Sequence, residues 1–395
     1  MSSASVTSTP APDHRPRVAV VYHFFAHYRE AVVGRLARST KVRFTFFGDD
    51  HDYEGSIKAG VFAPPVDHRS CPTYRIRGSW MWQPGLVRVA ASREFDQLIL
   101  LGNPYWIATW IGAIVGRLTG KRVMFWSHGF LTPPVGAKGL MRRVFFRLAQ
   151  EHLFYGESAK ANAVEIGWDP MKIHVIGNCL DLDRQVSARN AITSDDVTRC
   201  RRELFLDPAS PTVVCSCRLL PAKRLDLLFE ALSVIRREGT SVNALIIGDG
   251  PDQPRLERLA AEHEVPVHFE GACYDENRLA LLLMSSDLTV CPGFVGLTAI
   301  QSMAYGVPVI TNDRSGDSAP EVEAILPGKT GDLFRTGDVN DLVRAMRPWL
   351  AEASDRKSIR AACMAMVDRN WSPDHQLRTI EGAVLGEPAT VPESR

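Results

Sequence analysis

The stretch Thr212-Val-Val-Cys-Ser-Cys-Arg218-Leu-Leu-Pro-Ala-Lys223-Arg224, continued by Leu225-Asp-Leu-Leu-Phe-Glu-Ala-Leu, decides how this chain folds. Its first five residues are apolar or small, with no polar alternation, as in a strand covered on both faces. From Leu225 the leucines recur at helical spacing. Strand, short loop and helix in that order form half of a parallel crossover unit. The loop carries two cations, Arg218 and Lys223, and loops at the carboxyl ends of such strands line the ligand crevice of an open α/β sheet. Beside helix amides, two cations there suit a diphosphate.

Working outward, the same alternation recurs along the chain. Strands are expected at 18–22, 42–47, 97–101, 123–126, 153–155 and 173–176, and in a second series at 212–216, 244–247, 267–269, 288–290 and 307–310. Helix-period segments lie between them, for example 29–38, 225–238 and 254–263. Two series mean two Rossmann-like α/β domains, which suits 395 residues, two to three times a single domain. A polar stretch, 181–211, holds a helix at 194–204 with no strand, so the boundary is placed between residues 185 and 186. The expected units are a tail at 1–16, an N-terminal domain at 17–185 and a C-terminal domain at 186–370. Within a C-terminal segment, 371–386, Trp371-Ser-Pro breaks the chain and a last helix follows at 374–385.

The composition narrows the function. Lys plus Arg number 46 and Asp plus Glu 45, a net charge of +1, so the basic excess of a nucleic-acid binder is missing. Residues 1–184 hold 23 basic and 15 acidic side chains, which points weakly to an anionic partner or surface on that side. No apolar run is long enough to span a bilayer, and the first sixteen residues lack the apolar core of a signal peptide, so a cytoplasmic location is expected. The eight cysteines show no metal-ligand spacing and read as small core residues of a reduced protein; Cys215 and Cys217 point to one face.

Two further motifs follow strands. Ala244-Leu-Ile-Ile-Gly248-Asp249-Gly250-Pro251 runs into a turn where backbone can approach a ligand, but lacks the spacing of a dinucleotide fingerprint. Leu288-Thr-Val-Cys-Pro292-Gly293-Phe294-Val295-Gly296-Leu297-Thr298-Ala-Ile-Gln301 turns through a glycine-bracketed loop into a short helix whose first amides can grip phosphate, with Gln301 one turn further in.

In this order and spacing the segments from 151 to 334 resemble the donor domain of GT-B glycosyltransferases, the retaining family-4 group (glycosyl transferases group 1). Lys172-Ile-His-Val-Ile-Gly-Asn178-Cys-Leu-Asp181 resembles the family's Asn-Gly-Val-Asp segment, and Pro320-Glu321 and Gly328-Lys-Thr-Gly331 its closing motifs. The resemblance implies two Rossmann-like domains across a cleft, with the last helix crossing back to the first. It implies that Arg218 and Lys223 hold the donor diphosphate, that Gly248, Gly250 and residues 293–298 line the donor, and that His128 touches the donor sugar. Two departures stand out. The family's paired glutamates fall at Gly293 and Gln301, an absent carboxylate and a neutral amide that can still bond ribose hydroxyls.

The first half is less patterned. His23, His27 and Arg29 follow the first strand and are expected on a loop facing the cleft, on the acceptor side. His128 follows the strand 123–126. Residues 138–147 read as an amphipathic helix with a basic face, a possible peripheral membrane contact, although a solvated surface helix is the commoner outcome. Trp80, Trp82, Tyr105 and Trp106 suit either core packing or stacking on an acceptor.

The resulting expectation is a retaining, metal-independent hexosyltransferase without a cofactor. Its partners are a UDP- or GDP-sugar donor and a carbohydrate, glycolipid or secondary-metabolite acceptor. The alternatives are a sugar-nucleotide epimerase on the same fold and a non-catalytic nucleotide-sugar binder. Base, sugar, acceptor and oligomeric state stay open at this level.

Overall fold

The computed structural model describes residues 14–53, 55, 57–314, 319–351 and 355–389. Most of the tail expected at 1–16, and the chain from 390, lie outside the described residues. The tail's last residues are pinned: the Pro16 carbonyl accepts from the Arg43 amide and Arg15 donates to the Ser39 carbonyl.

The strands of the first half are β1 (Arg17–Phe24), β2 (Arg43–Asp49), β3 (His68–Ser70), the hairpin β4 (Tyr74–Arg77) and β5 (Trp80–Trp82), β6 (Gln97–Leu101), β7 (Arg122–Ser127), β8 (Glu151–Phe154) and β9 (Ile173–Val175). Those of the second half are β10 (Thr212–Ser216), β11 (Asn243–Ile247), β12 (Val267–Gly271), β13 (Leu288–Cys291), β14 (Val309–Asn312) and β15 (Gly331–Phe334). They form two parallel sheets, ordered β3-β2-β1-β6-β7-β8-β9 and β12-β11-β10-β13-β14-β15. β3, β15 and the two strands of the β4–β5 hairpin are three or four residues long, too short to show a pattern beforehand, and β4 is exposed along its whole length.

Each sheet is covered on both faces. In the first, Val18, Val20 and Phe46 face one apolar cluster and Ala19, Val21 and Leu98 the other. In the second, Val213 and Cys215 join one cluster and Val214 the opposite one. Burial on two faces is why these strands read as unbroken apolar runs.

The division expected at 185/186 falls inside one helix, Leu182–Ala191, whose Ala188 is buried with Leu245, Ile247 and Leu279 of the second half. That helix therefore packs with the C-terminal sheet. The helix Pro373–Leu385 returns to the first sheet, with Ile380, Ala383 and Val384 in the first core. Burying side chains such as Ile380 and Val384 contributes about 1.5–3 kcal/mol each. Arg35 ties the helix down through Asp374 at 3.1 Å.

The halves also meet at the carboxyl ends of their sheets. Glu323, beyond β14, accepts the amides of Glu157 (2.6 Å) and Ser158 (2.8 Å), beyond β8. Asn178, beyond β9, donates to Glu321 at 2.7 Å. The ligand-bearing edges of both sheets thus face one another.

Candidate active site

In each sheet the strand order reverses once, between β1 and β6 and between β10 and β13. Ligands of open α/β sheets bind at such reversals, beyond the carboxyl ends of the strands. Chain direction and strand order therefore bring residues 216–223 and 292–298 together on one side, and 22–29, 102–106 and 127–129 on the other.

On the second-domain side, Arg218 is exposed two residues beyond β10 and makes no hydrogen bond or ion pair among the described residues. Its neighbours are fixed. The Cys217 amide donates to the Ile247 carbonyl (2.9 Å) and the Leu219 amide to that of Asp249 (2.7 Å). A Cβ on Gly248 would lie 1.9 Å from the Cys217 carbonyl oxygen, and one on Gly250 2.2 Å from that of Leu219. These glycines were expected to let backbone approach a ligand. They also face the chain on either side of Arg218, so their smallness positions that arginine.

Lys223 ends the short turn Pro221–Lys223, and its ammonium donates to the Phe294 carbonyl at 2.9 Å while lying 5.2 Å from the Phe294 ring. Arg224 has φ 52° and turns the chain into the helix Leu225–Arg237, whose first turn has no side-chain cap. The Gly293 amide donates to the Lys223 carbonyl at 3.0 Å. A Cβ at 293 would meet the Ala222 oxygen at 2.3 Å and the Lys223 Cα at 2.8 Å. The absent glutamate thus has a steric reason: the 221–223 turn occupies its place.

Thr298 fastens the helix Leu297–Ala304 to the end of β10 through the Ser216 carbonyl at 3.1 Å. Phe294 is exposed and Gln301 half-buried, its amide without a partner among the described residues. Val295 is buried in the second core, so its expected donor contact is limited to backbone. The sequence reading missed buried Asn312, which donates to the carbonyls of Gly293 (2.6 Å) and Pro292 (3.1 Å) and holds this loop. Its position at the carboxyl end of β14 was the signal.

On the first-domain side, His23 lies within β1 and not on a loop. It is largely enclosed, and desolvation holds its pKa down to about 3, with help from the nearby Arg29 charge. His27 does not join it: the ring is exposed and bonded to the Lys58 carbonyl at 3.2 Å. Arg29 is buried without a carboxylate partner among the described residues. It donates to the Tyr155 hydroxyl (2.6 Å) and lies 4.8 Å from the Tyr22 ring centroid and 5.4 Å from that of Trp126. With Tyr28, Asp52 and Trp106, His23 and Arg29 line a cavity of about 170 Å³.

His128 follows β7, its ring 4.8 Å from Tyr155. It opens on the cleft yet is closely surrounded, and desolvation, with the Arg29 charge, lowers its pKa to about 4. It lines a second cavity, about 290 Å³, with Asn103, Tyr105 and Arg142. Of the aromatic cluster, Trp106 is a core residue, beside Met81, while Trp80 packs on Tyr105 at 5.6 Å and stays partly exposed. Among the described residues, no group of three or more His, Cys, Asp or Glu is placed to hold a metal ion.

Residues 196–363 match the model of the family described as glycosyl transferases group 1. The match lies within the second domain, which is similar to that family over most of its length. Among curated proteins, the GDP-mannose-dependent alpha-(1-6)-phosphatidylinositol monomannoside mannosyltransferase of Mycolicibacterium smegmatis is 33% identical over 192 residues, 45% of this chain and 47% of that protein. The D-inositol 3-phosphate glycosyltransferase of Gordonia bronchialis is 28% identical over 68% of this chain and 62% of its own length. The chain thus spans about half the length of the first of these relatives. Solved structures similar to it include the lipopolysaccharide outer core galactosyltransferase WaaB (TM-score 0.68, 16% identity, 94% of this chain and 99% of that one) and Anabaena Alr3699/HepE with UDP and glucose (0.64, 15%, 94% and 100%). The architecture is the GT-B fold, two Rossmann-like halves.

Within the second domain, the family match covers Arg218, Lys223, Gly293 and Gln301. His23, Arg29 and His128 lie outside it.

Proposed function

We propose that this protein is a glycosyltransferase that moves a hexosyl group from a nucleoside diphosphate sugar to a carbohydrate or lipid-linked acceptor, with retention at the anomeric carbon. One observation carries this reading: Arg218 and Lys223 stand at the switch point of a domain similar to group 1, with no carboxylate neutralising either among the described residues. Cations left unpaired beside uncapped helix starts are suited to a diphosphate.

In the proposed reaction the bond from the anomeric carbon to the diphosphate oxygen breaks, and a bond to the acceptor hydroxyl forms on the same face. The hydroxyl proton passes to the departing phosphate. Arg218 and Lys223 stabilise the charge that grows on the leaving group, as preorganised donors do. No metal and no cofactor is needed in this scheme. His128, neutral at physiological pH with its pKa near 4, serves as a hydrogen-bond partner and not as a cation. Closure of the cleft keeps water from the donor.

The relatives named above make GDP-mannose the first donor to assay, beside UDP-glucose, and inositol-containing glycolipids the first acceptors. The helix Gly136–Phe146 leaves Leu140 and Val144 exposed on one side, with Lys138 nearby, and supports peripheral contact with a membrane from the cytoplasmic side. No helix among the described residues is long and apolar enough to cross one.

The test is Arg218→Ala and Lys223→Ala, assayed for donor affinity and for transfer. Both should fall by tenfold or more; retention of both removes the assignment. Conversion of the donor without acceptor would favour an epimerase, and donor binding without transfer to any acceptor a non-catalytic binder.

A further inference from the structure

The cavity beside His128 has a chemistry of its own. Its lining comes from Tyr22 of β1, from the carboxyl ends of β6 and β7 with the segments beyond them, and from the helix Gly136–Phe146, and contains no Asp or Glu. Arg142 was expected on the outer, basic face of that helix. It turns inward instead: Nη2 donates to the Gly129 carbonyl at 2.7 Å and the guanidinium lies 5.5 Å from the Phe130 ring centroid. No ion pair neutralises it among the described residues, and desolvation lowers its pKa, opposed by Tyr105 and by no carboxylate. A half-buried guanidinium without a counter-ion is costly, and Nε and Nη1 of this one make no hydrogen bond among the described residues.

Neutral donors converge on the same space. Asn103 uses its Oδ1 to accept the Tyr105 amide at 3.0 Å, which leaves the Nδ2 donor for a ligand. Tyr105 and the neutral His128 line the same cavity. At about 290 Å³ the cavity is near the lower end of small-ligand sites, roughly 300–1,000 Å³. A planar carboxylate would satisfy the arginine fork alone, whereas a phosphoryl group has three acceptor oxygens to share among such donors.

We propose that this cavity is an acceptor subsite for a phosphoryl group, held by Arg142 with Asn103, Tyr105 and His128. The acceptor is then a phosphorylated polyol or sugar, free or as a lipid headgroup, with its reactive hydroxyl directed toward the second domain. The assignment rests on the proposed transferase reading for its role, and on Arg142 for its chemistry.

The test titrates the full chain calorimetrically with glycerol 3-phosphate, and with glycerol as control, in saturating UDP and GDP so that phosphate is kept from Arg218 and Lys223. The phosphate ester should bind and glycerol should not. Arg142→Gln should weaken binding about ten- to hundredfold, the range for hydrogen bonds to a charged group, Arg142→Lys should recover part of it, and Asn103→Ala should lose less. Thermal unfolding of each variant separates lost binding from lost folding. Absence of binding to the native chain, or unchanged binding by folded Arg142→Gln and Asn103→Ala, overturns the subsite.

Flotation with phosphatidylcholine vesicles, with and without phosphatidylinositol, assigns the source. Arg142-dependent capture by the inositol lipid supports a headgroup, and binding of the soluble ester alone supports a free phosphate. A chain that holds glycerol 3-phosphate through Arg142 but no nucleotide loses the proposed function and keeps the subsite. The reverse result removes the subsite alone.

Discussion

Gly293 donates its amide to the Lys223 carbonyl at 3.0 Å, while the Ala222 oxygen stands 2.3 Å from the place a Gly293 side chain would start. The donor-side cation loop and the glycine loop are therefore one packed unit. Restoring the family's glutamate as Gly293→Glu should push them apart, with a cost of about 1–3 kcal/mol for overpacking and weaker donor binding. Thermal unfolding and a donor titration check this; a stable variant with improved transfer would show that the glycine is not sterically required.

Arg218 is exposed and unpartnered, so its removal should cost function without costing stability. Arg218→Ala is expected to unfold within about 0.5 kcal/mol of the native protein while losing donor affinity. A large fall in melting temperature would mean that the side chain supports the fold.

Buried histidines make stability depend on pH. His152 is enclosed by Phe125, Phe146, Phe154 and Trp168, and desolvation lowers its pKa to about 3; His23 and His128 are held at about 3 and 4. A folded pKa below the unfolded value near 6.5 means that the unfolded chain binds more protons between the two. Stability is then fully present above pH ~6.5 and declines as pH falls toward 4, by at most about 1.4 kcal/mol per pH unit for each such group. Denaturant melts across that range should show the slope, and His152→Phe should flatten it if the ring packs as phenylalanine would. An unchanged slope would shift the effect to other groups.

Glu323 spans the two domains by accepting the first amides of the helix Glu157–Glu165. A carboxylate there also meets the positive end of the helix dipole. Glu323→Ala should cost about 1 kcal/mol, as for a lost helix cap, and speed amide exchange at residues 157–160. Gly156→Ala should act alike, since its Cβ would lie 2.6 Å from Glu323 Oε1. Exchange rates unaltered in both variants would mean that the contact does not restrain the domains.

Much of this was visible in the residues. Strands such as Gln97–Leu101 and Thr212–Ser216 follow the expected bounds because they are buried on both faces and so carry an unbroken apolar signal. The hairpin at Tyr74–Arg77 was not legible, since its exposed residues owe their pairing to the partner strand. His27 and Arg29, two residues apart, looked equivalent; one faces solvent and the other is buried among tyrosines. Spacing within a loop does not state which side chain turns inward.

The sequence by itself determined two parallel sheets, the cations that follow β10 and the glycine loop that follows β13, because burial patterns and turn chemistry are local properties of a chain. Only the tertiary structure decided that Gly248 and Gly250 brace the backbone around Arg218, that the 221–223 turn excludes a side chain at Gly293, and that Arg142 turns inward to Gly129. These depend on distances between segments far apart along the chain, and packing alone sets them.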